Sequence, residues 1–147
     1  MKRETGRMLI LLVVLVVVVA FSFYVSYKYN HESSEGVSDN LVVEVIDGDT
    51  FRLYSGAVVR MICVDSPEEG DHGYLESKEF LSSLILDEEV ILERDVEEYD
   101  AYGRLLGYVY ADGLFVNREM VRLNYAEIFR YGNSTSRCDE IEFGESP

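Results

Sequence analysis

Residues 46–68 read IDGDTFRLYSGAVVRMICVDSPE, and this stretch decides what kind of fold the chain can form. Apolar side chains alternate with polar ones, and the pairs Asp47-Gly48 and Ser55-Gly56 are typical of the tight turns that join antiparallel strands. A β-branched run precedes the first turn. The pattern therefore predicts a three-stranded meander with strands at residues 41–46, 50–54 and 57–64.

The pattern after this stretch predicts further elements around the meander. Apolar residues at three- and four-residue spacings predict a helix over residues 74–86. Strands are predicted at residues 88–94 and 105–110, with a short one at 114–116, and Asn117 is predicted to cap a helix that ends near residue 124. The expected fold is α+β and mainly β, a five-stranded OB-fold barrel with two or three helices. A β-grasp or another α+β sheet fits the pattern alone nearly as well.

The N-terminal residues differ from the rest of the chain. Residues 8–27 contain no charged side chain and match the thickness of a bilayer, so they are predicted to form a transmembrane helix. Basic residues precede this segment and acidic ones follow it, which places the N-terminus in the cytoplasm and the domain outside. A cleaved signal peptide is the alternative. The predicted division is a cytoplasmic N-terminus at 1–7, an anchor at 8–27, a linker at 28–40, a domain at 41–136 and a short or partly disordered tail at 137–147.

The predicted domain is strongly acidic. From residue 41 onward the chain has 24 acidic and 9 basic side chains, a net charge of −15. Such a charge opposes the long-range attraction that most nucleic-acid-binding proteins use. The chain has two cysteines, Cys63 and Cys138, and the sequence leaves open whether they pair or stay free.

The opening stretch also contains a candidate site for a metal and a phosphate. Asp49, Asp65 and Glu68 provide hard oxygen ligands, and Arg60 provides a planar guanidinium that suits phosphate oxygens. Taken singly, each has an ordinary alternative as a solvated strand end, a surface charge or part of an acidic loop. We interpret His72 as a solvated loop residue.

Four segments, in this order, resemble the staphylococcal nuclease (thermonuclease) family. They are IDGDT at 46–50, VRMICVDSPE at 59–68, DAYGR at 100–104 and YVYADGLFVNREMVR at 108–122. The resemblance implies an OB-fold barrel and a calcium-dependent phosphodiesterase that acts on DNA and RNA. Three features depart from the family pattern: the acidic charge, a C-terminus too short for the usual long helix, and the predicted membrane anchor.

The resemblance also implies a role for individual residues. Calcium would be bound by the carboxylates of Asp49 and Asp65 and by the backbone carbonyl of Ser66. Glu68 would act as a general base or position the attacking water. The implied phosphate-binding residues are Arg60 and Arg104, and the implied nucleotide-pocket residues are Tyr74 and Tyr102.

The expected function is thus a membrane-tethered, calcium-dependent nuclease whose domain faces the outside and whose partner is its nucleic-acid substrate. Two alternatives stay open. One is a non-catalytic OB-fold binding module, and the other is an acidic, membrane-tethered adaptor.

Overall fold

The computed structural model describes residues 15–26 and 37–144. The chain divides into two compact units, residues 1–36 and 37–147. Residues 15–26 are helical. The other residues of the predicted anchor, 8–14 and 27, lie outside the described residues, as does the linker up to residue 36. Within the described residues, no helix is both long enough and apolar enough to cross a membrane.

The predicted three-stranded meander is confirmed. It consists of β1 (Val42–Val45), β2 (Thr50–Leu53) and β3 (Val58–Met61), paired antiparallel in sequence order. Phe51 lies opposite Val45 on one side and Val59 on the other, and all three side chains are buried. In β3 the alternation seen in the sequence is the alternation of buried and less buried side chains, whereas in β1 an irregularity in the pairing between Val42 and Glu44 interrupts it.

Two longer connections complete the main sheet. β6 (Leu105–Ala111) lies parallel to β3, and both β5 (Val90–Glu93) and β7 (Leu114–Phe115) pair antiparallel with β6. The main sheet thus has six strands, in the order β1-β2-β3-β6-β5 with β7 beside β6. Among the described residues, β1 and β5 meet through the isolated bridge between Leu41 and Glu89, and no ladder joins them.

The architecture is α+β, mainly sheet, and consistent with an OB-like fold. The sequence predicts a closed or partly open barrel of the OB type, and the structure does not show the closed form, because the seam between β1 and β5 is not paired as a ladder. Backbone hydrogen bonds beside the bridge also join the two segments: the Val42 N–H donates to the Glu88 carbonyl and the Asp87 N–H to the Val42 carbonyl, both at 3.0 Å, and the Val90 N–H donates to the Asn40 carbonyl at 3.2 Å.

The third predicted strand is interrupted. Residues 62 and 63 form a turn, and Cys63 has a left-handed backbone with φ of 62°. The chain then continues as β4 (Val64–Asp65), which pairs with β8 (Glu127–Ile128) in a separate two-stranded sheet. This turn lies between Arg60 on β3 and Asp65 on β4, so the two residues belong to strands of different sheets.

Three helices pack around the sheet: α1 (Tyr74–Ile85), α2 (Val116–Arg122) and α3 (Cys138–Phe143). The amphipathic pattern located α1 to within one residue.

The prediction that Asn117 caps α2 was wrong, because the helix begins at Val116, one residue before Asn117, and Asn117 is fully buried. Its Oδ1 accepts the Val109 N–H at 2.8 Å, and its Nδ2 donates to the Ile62 carbonyl at 2.8 Å. The amide therefore joins β6 to the turn after β3 and is not available to cap the helix.

The buried side chains form two clusters. The larger one fills the space between the meander, α1 and α2, with Phe51, Met61, Leu81 and Met120 at its centre. The smaller one comprises Ile62, Cys63, Tyr108, Phe115, Cys138 and Ile141. Cys63 and Cys138 form a disulfide, which settles the question that the sequence left open.

Candidate active site

Arg60 holds two of the predicted metal ligands together. Its Nε lies 3.1 Å from Asp49 Oδ1, and its Nη2 lies 2.9 Å from Asp65 Oδ1. Asp49 comes from the turn before β2, Arg60 from β3 and Asp65 from β4, so three elements converge on one guanidinium. Two carboxylates therefore share one cation, and their combined negative charge exceeds the positive charge of Arg60.

The remaining contacts of Arg60 are to its own loop. Nη1 donates to the Val64 carbonyl at 2.5 Å and to the Met61 carbonyl at 3.1 Å. A guanidinium has five N–H donors; hydrogen bonds to Met61, Val64 and Asp65 use three of them, and Nε forms an ion pair with Asp49. Arg60 is therefore held rigidly at the end of β3 and has little donor capacity left for a ligand in this arrangement.

Asp49 is buried, and its surroundings shift its ionisation. Burial raises the pKa of Asp49 to about 6, although the charge of Arg60 and the hydrogen bond from the Ser66 N–H both act to lower this pKa. The Ser66 N–H donates to Asp49 Oδ2 at 2.7 Å, and Thr50 Oγ1 donates to Oδ1 at 2.9 Å. Desolvation outweighs these contacts because the carboxylate has lost most of its water.

Gly48 allows the backbone around Asp49 to pack closely against α1. A Cβ atom at Gly48 would lie 1.8 Å from Ser77 Oγ and 2.7 Å from Ser66 Cβ. Any side chain here would push the Asp49 turn away from Ser66. The hydroxyl of Ser77 is buried in the same contact and has no hydrogen-bond partner among the described residues.

Arg104 is the second predicted phosphate ligand, and an acid that the sequence reasoning missed holds it in place. Its Nε lies 2.6 Å from Asp100 Oδ2, while Asp100 Oδ1 accepts the backbone N–H groups of Tyr102 and Arg104 at 2.9 Å. Burial acts to raise the pKa of Asp100, but the hydrogen bonds from Arg104 and Tyr102 outweigh it and hold this pKa below its ordinary value. The Arg104 guanidinium also lies 5.5 Å from the centre of the Tyr102 ring.

A cavity of about 500 Å³ brings the two arginines together. Besides Arg60 and Arg104 it contains several aromatic side chains, of which Tyr102 had been predicted. The other three were missed, although each is an exposed aromatic next to a turn or a short strand: Tyr99, Phe129 and Tyr131.

Other predicted residues lie outside the lining of this cavity. Glu68 is exposed on the loop after Pro67, and Tyr74 is the first residue of α1, where its hydroxyl donates to the Ile46 carbonyl at 3.4 Å. Ser66 is buried beside Asp49. The structure thus joins Asp49, Arg60 and Asp65 directly, and Arg60 with Arg104 and Tyr102 across the cavity.

The donor set near Arg60 suits a hard cation. Asp49 and Asp65 already converge on a positive group, and their oxygens are the type that calcium prefers. Among residues 15–26 and 37–144, no group of three or more histidine, cysteine or acidic side chains is placed to bind a metal. A calcium ion here would need backbone carbonyls or water to complete its shell, since it takes about six to eight oxygens.

Residues 58–145 match the family model described as "Staphylococcal nuclease homologue". This span covers more than half of the chain and contains β3 to α3, with both arginines. The chain belongs to the staphylococcal nuclease family.

Named bacterial proteins resemble this staphylococcal nuclease homologue. It is 36% identical over 97 residues to a protein of Escherichia coli O157:H7 named "Uncharacterized endonuclease". The aligned region covers 63% of this chain and 62% of that protein. It is 33% identical over 115 residues to "Endonuclease YncB" of Bacillus subtilis (strain 168), covering 68% of this chain and 53% of the relative. With "Endonuclease YhcR" of the same organism it shares 31% identity over 114 residues, covering 66% of this chain and 9% of that protein. The chain therefore spans less than two thirds of each of these relatives.

Proposed function

We propose that this protein is a calcium-dependent nuclease that hydrolyses phosphodiester bonds of DNA, RNA or both. The observation that supports it most is the cavity that contains Arg60 and Arg104, with Asp49 and Asp65 on the guanidinium of Arg60. Phosphodiester hydrolysis builds negative charge on the phosphoryl oxygens, and fixed cationic donors stabilise that charge. The relatives' names, which include the word endonuclease, are consistent with the proposal.

The two arginines have different parts in this mechanism. Arg104 is bonded to Asp100 through Nε, its side chain is 33% exposed and it lines the cavity, so its guanidinium can bind phosphate oxygens in pairs. Arg60 is 15% exposed and bonded to Asp49 and Asp65. We assign Arg104 to the incoming phosphate and Arg60 to holding the carboxylate pair, with its remaining donor directed to the same phosphate.

The chemical step is the attack of water on phosphorus, with cleavage of the bond to the leaving oxygen. Glu68, exposed on its loop, would accept the proton of that water or hold it in position. The products are a phosphomonoester and an alcohol. Calcium, when bound by Asp49, Asp65 and the Ser66 carbonyl, would supply charge neutralisation and orientation for the phosphate.

The place of action is also part of the proposal. The uncharged segment 8–27 and the flanking charges support a nuclease tethered to the cytoplasmic membrane and facing outward, or secreted if that segment is cleaved.

The test uses the full chain and a fluorescently labelled single-stranded oligodeoxynucleotide, with calcium or with a chelator. Arg104→Ala should lower kcat/KM by about a hundredfold, as expected for the loss of a charge-stabilising donor. Arg94→Ala is the matched control, since Arg94 also pairs with an acid four residues away, Glu98, but does not line the cavity. Its kcat/KM should stay within about twofold of the wild-type value.

Two results would count against the proposal. Absence of calcium-dependent cleavage of both DNA and RNA by the folded wild-type chain would exclude the nuclease and favour a binding module. Equal losses in the Arg104 and Arg94 variants would exclude the role given to Arg104.

A further inference from the structure

The disulfide joins the turn of the candidate site to the C-terminal helix. Cys63 lies in the two-residue turn between Arg60 on β3 and Asp65 on β4, and it lines the same cavity as Arg104. Its carbonyl accepts the N–H of Phe129, another residue of the cavity wall, at 3.2 Å. The position of Cys63 therefore affects both the spacing between Arg60 and Asp65 and the shape of the cavity.

The helix at the other end of the bond is too short to be stable alone. α3 has six residues, and helices of this length do not persist in water without packing. Cys138 and Ile141 are its buried residues, and they pack with Ile62, Cys63 and Tyr108. The disulfide thus adds a covalent link to a helix that is otherwise held by the packing of two buried side chains.

The backbone at Cys63 gives the link a local consequence. A non-glycine residue with φ of 62° adopts a conformation that side chains disfavour and that persists when its surroundings enforce it. The bond to Cys138 is one such constraint, and the hydrogen bond between the Asn117 side chain and the Ile62 carbonyl is another. Without the bond, Cys63 is freer to relax to an ordinary conformation, which would move Asp65 relative to Arg60.

We propose that the Cys63–Cys138 bond is a thiol-sensitive positioning bond, so that its reduction lowers the rate of the proposed nuclease by releasing the turn between Arg60 and Asp65. This inference rests on the proposed function. The nuclease is then fully active only where the disulfide is kept oxidised.

The reduction is an ordinary exchange with a small dithiol. A thiolate attacks Cys63 Sγ, since Cys63 is 5% exposed and lines the cavity, whereas Cys138 has no exposed surface. The Sγ–Sγ bond breaks, Cys138 leaves as a thiolate and takes up a proton, and a mixed disulfide forms. The second thiol of the reagent then attacks this bond and releases Cys63 as a thiol. The two cysteines gain two electrons and two protons, and the dithiol becomes a cyclic disulfide.

The experiment follows three quantities on the full chain during titration with dithiothreitol. Alkylation and mass spectrometry give the fraction of open disulfide, the oligodeoxynucleotide assay gives kcat and KM, and hydrogen exchange reports on the amides of residues 62–64 and 138–143. We expect kcat to fall at least tenfold as the disulfide opens, with faster exchange in both segments, and reoxidation to restore both. Reduced protein with unchanged kcat and unchanged exchange in residues 62–64 would overturn the proposal.

Two variants separate positioning from general stability. The double variant Cys63→Ala/Cys138→Ala should have the low kcat of the reduced wild type and should not respond to dithiothreitol. Val90→Ala removes fully buried side-chain atoms on β5, away from the turn, so it lowers stability while kcat per folded molecule should stay unchanged. A loss of kcat in Val90→Ala as large as that in the double variant would show that the bond acts through stability alone.

The failure of the two proposals can be told apart. If the oxidised chain cleaves no nucleic acid, the nuclease proposal fails, and hydrogen exchange at residues 62–64 still decides whether the bond holds the turn.

Discussion

Arg60 Nε lies 3.1 Å from Asp49 Oδ1, and the two side chains are only 15% and 7% exposed. Removing the arginine would leave a buried carboxylate without its cationic partner, which is one of the costlier changes in a protein interior. The corresponding pair at Arg104 and Asp100 is more open, with the arginine 33% exposed. The two arginines should therefore differ in their effect on stability.

We expect Arg60→Ala to lower the free energy of unfolding by about 3 kcal/mol, and Arg104→Ala to lower it by about 1 kcal/mol or less. Urea denaturation at neutral pH measures both. Adding Asp49→Ala to Arg60→Ala should recover part of the loss, because the stranded carboxylate is then gone. Equal losses in the two single arginine variants would mean that Asp49 stays hydrated in solution.

Ser77 offers a substitution that should stabilise the protein. Its hydroxyl is fully buried against Gly48 and has no hydrogen-bond partner among the described residues. Ser77→Ala should raise the free energy of unfolding by about 1 kcal/mol, because it removes an unsatisfied polar group. Thermal unfolding tests this, with Ser82→Ala as the control, since the Ser82 hydroxyl donates to the Lys78 carbonyl at 2.8 Å. A lower melting temperature for Ser77→Ala would show that its hydroxyl has a partner in solution.

Asn117 should be among the least replaceable polar residues. Its amide bonds the N–H of Val109 and the carbonyl of Ile62, and both contacts are buried. Asn117→Ala strands both backbone groups and should cost about 2–4 kcal/mol. Asn117→Asp keeps the acceptor and loses the donor, so chemical denaturation should reveal a clear loss there too. A cost below about 0.5 kcal/mol for Asn117→Ala, the size of an ordinary surface change, would contradict this assignment.

Asp95 should make stability fall at acid pH. Burial acts to raise its pKa, but hydrogen bonds from Ser136 and Tyr108 outweigh it and hold the pKa below the ordinary value of 3.8. The unfolded chain therefore binds the proton more readily than the folded one. The stabilisation is complete above the unfolded pKa and is lost as pH falls through the folded pKa.

The comparison with Asp95→Asn isolates this effect from other carboxylates. The difference in free energy of unfolding between wild type and variant should be larger at about pH 6 than at about pH 3. Urea denaturation of both proteins at the two pH values measures this difference. A difference that stays constant would show that Asp95 ionises alike in the folded and unfolded chain.

Salt should not weaken cleavage in the way usual for nucleic-acid enzymes. Seven arginines of residues 37–144 contact carboxylates, Arg60 and Arg104 included, and the chain carries a net charge of −15. Between about 10 mM and about 150 mM salt the screening length falls from about 30 Å to about 8 Å, which relieves repulsion of a polyanion. We expect kcat/KM to hold steady or rise over this range. A steep decline would indicate a basic cleft that dominates encounter.

The sequence pattern correctly predicted those strands and helices whose formation depends on residues that are neighbours in the chain. The meander followed from two turn pairs and apolar alternation, and α1 followed from apolar spacing, since one buried face per element leaves a clear period in the sequence. The elements that were wrong depend on distant contacts. The residues around Cys63 read as one continuous strand, and Asn117 read as a helix cap. Neither the bond of Cys63 to Cys138 nor the hydrogen bonds by which Asn117 joins β6 to the turn after β3 are visible in the local pattern.

The candidate site shows the same division. The residue types at 49, 60, 65, 68 and 104 followed from motifs, and their roles stay predictions. Their partners did not follow, since the pairing of Arg60 with Asp49 and Asp65, and of Arg104 with Asp100 in one cavity, depends on how β3, β4 and the 100–104 turn are placed.

By itself the sequence determined the meander, the first helix and the family motifs, because turn chemistry, side-chain periodicity and motif order are properties of short segments. Only the tertiary structure decided that β1 and β5 meet through an isolated bridge and not a ladder, that Cys63 and Cys138 pair across 75 residues, and that Arg60 is already bonded to two carboxylates. These features arise from contacts between distant segments, whose geometry is set by packing of the whole domain.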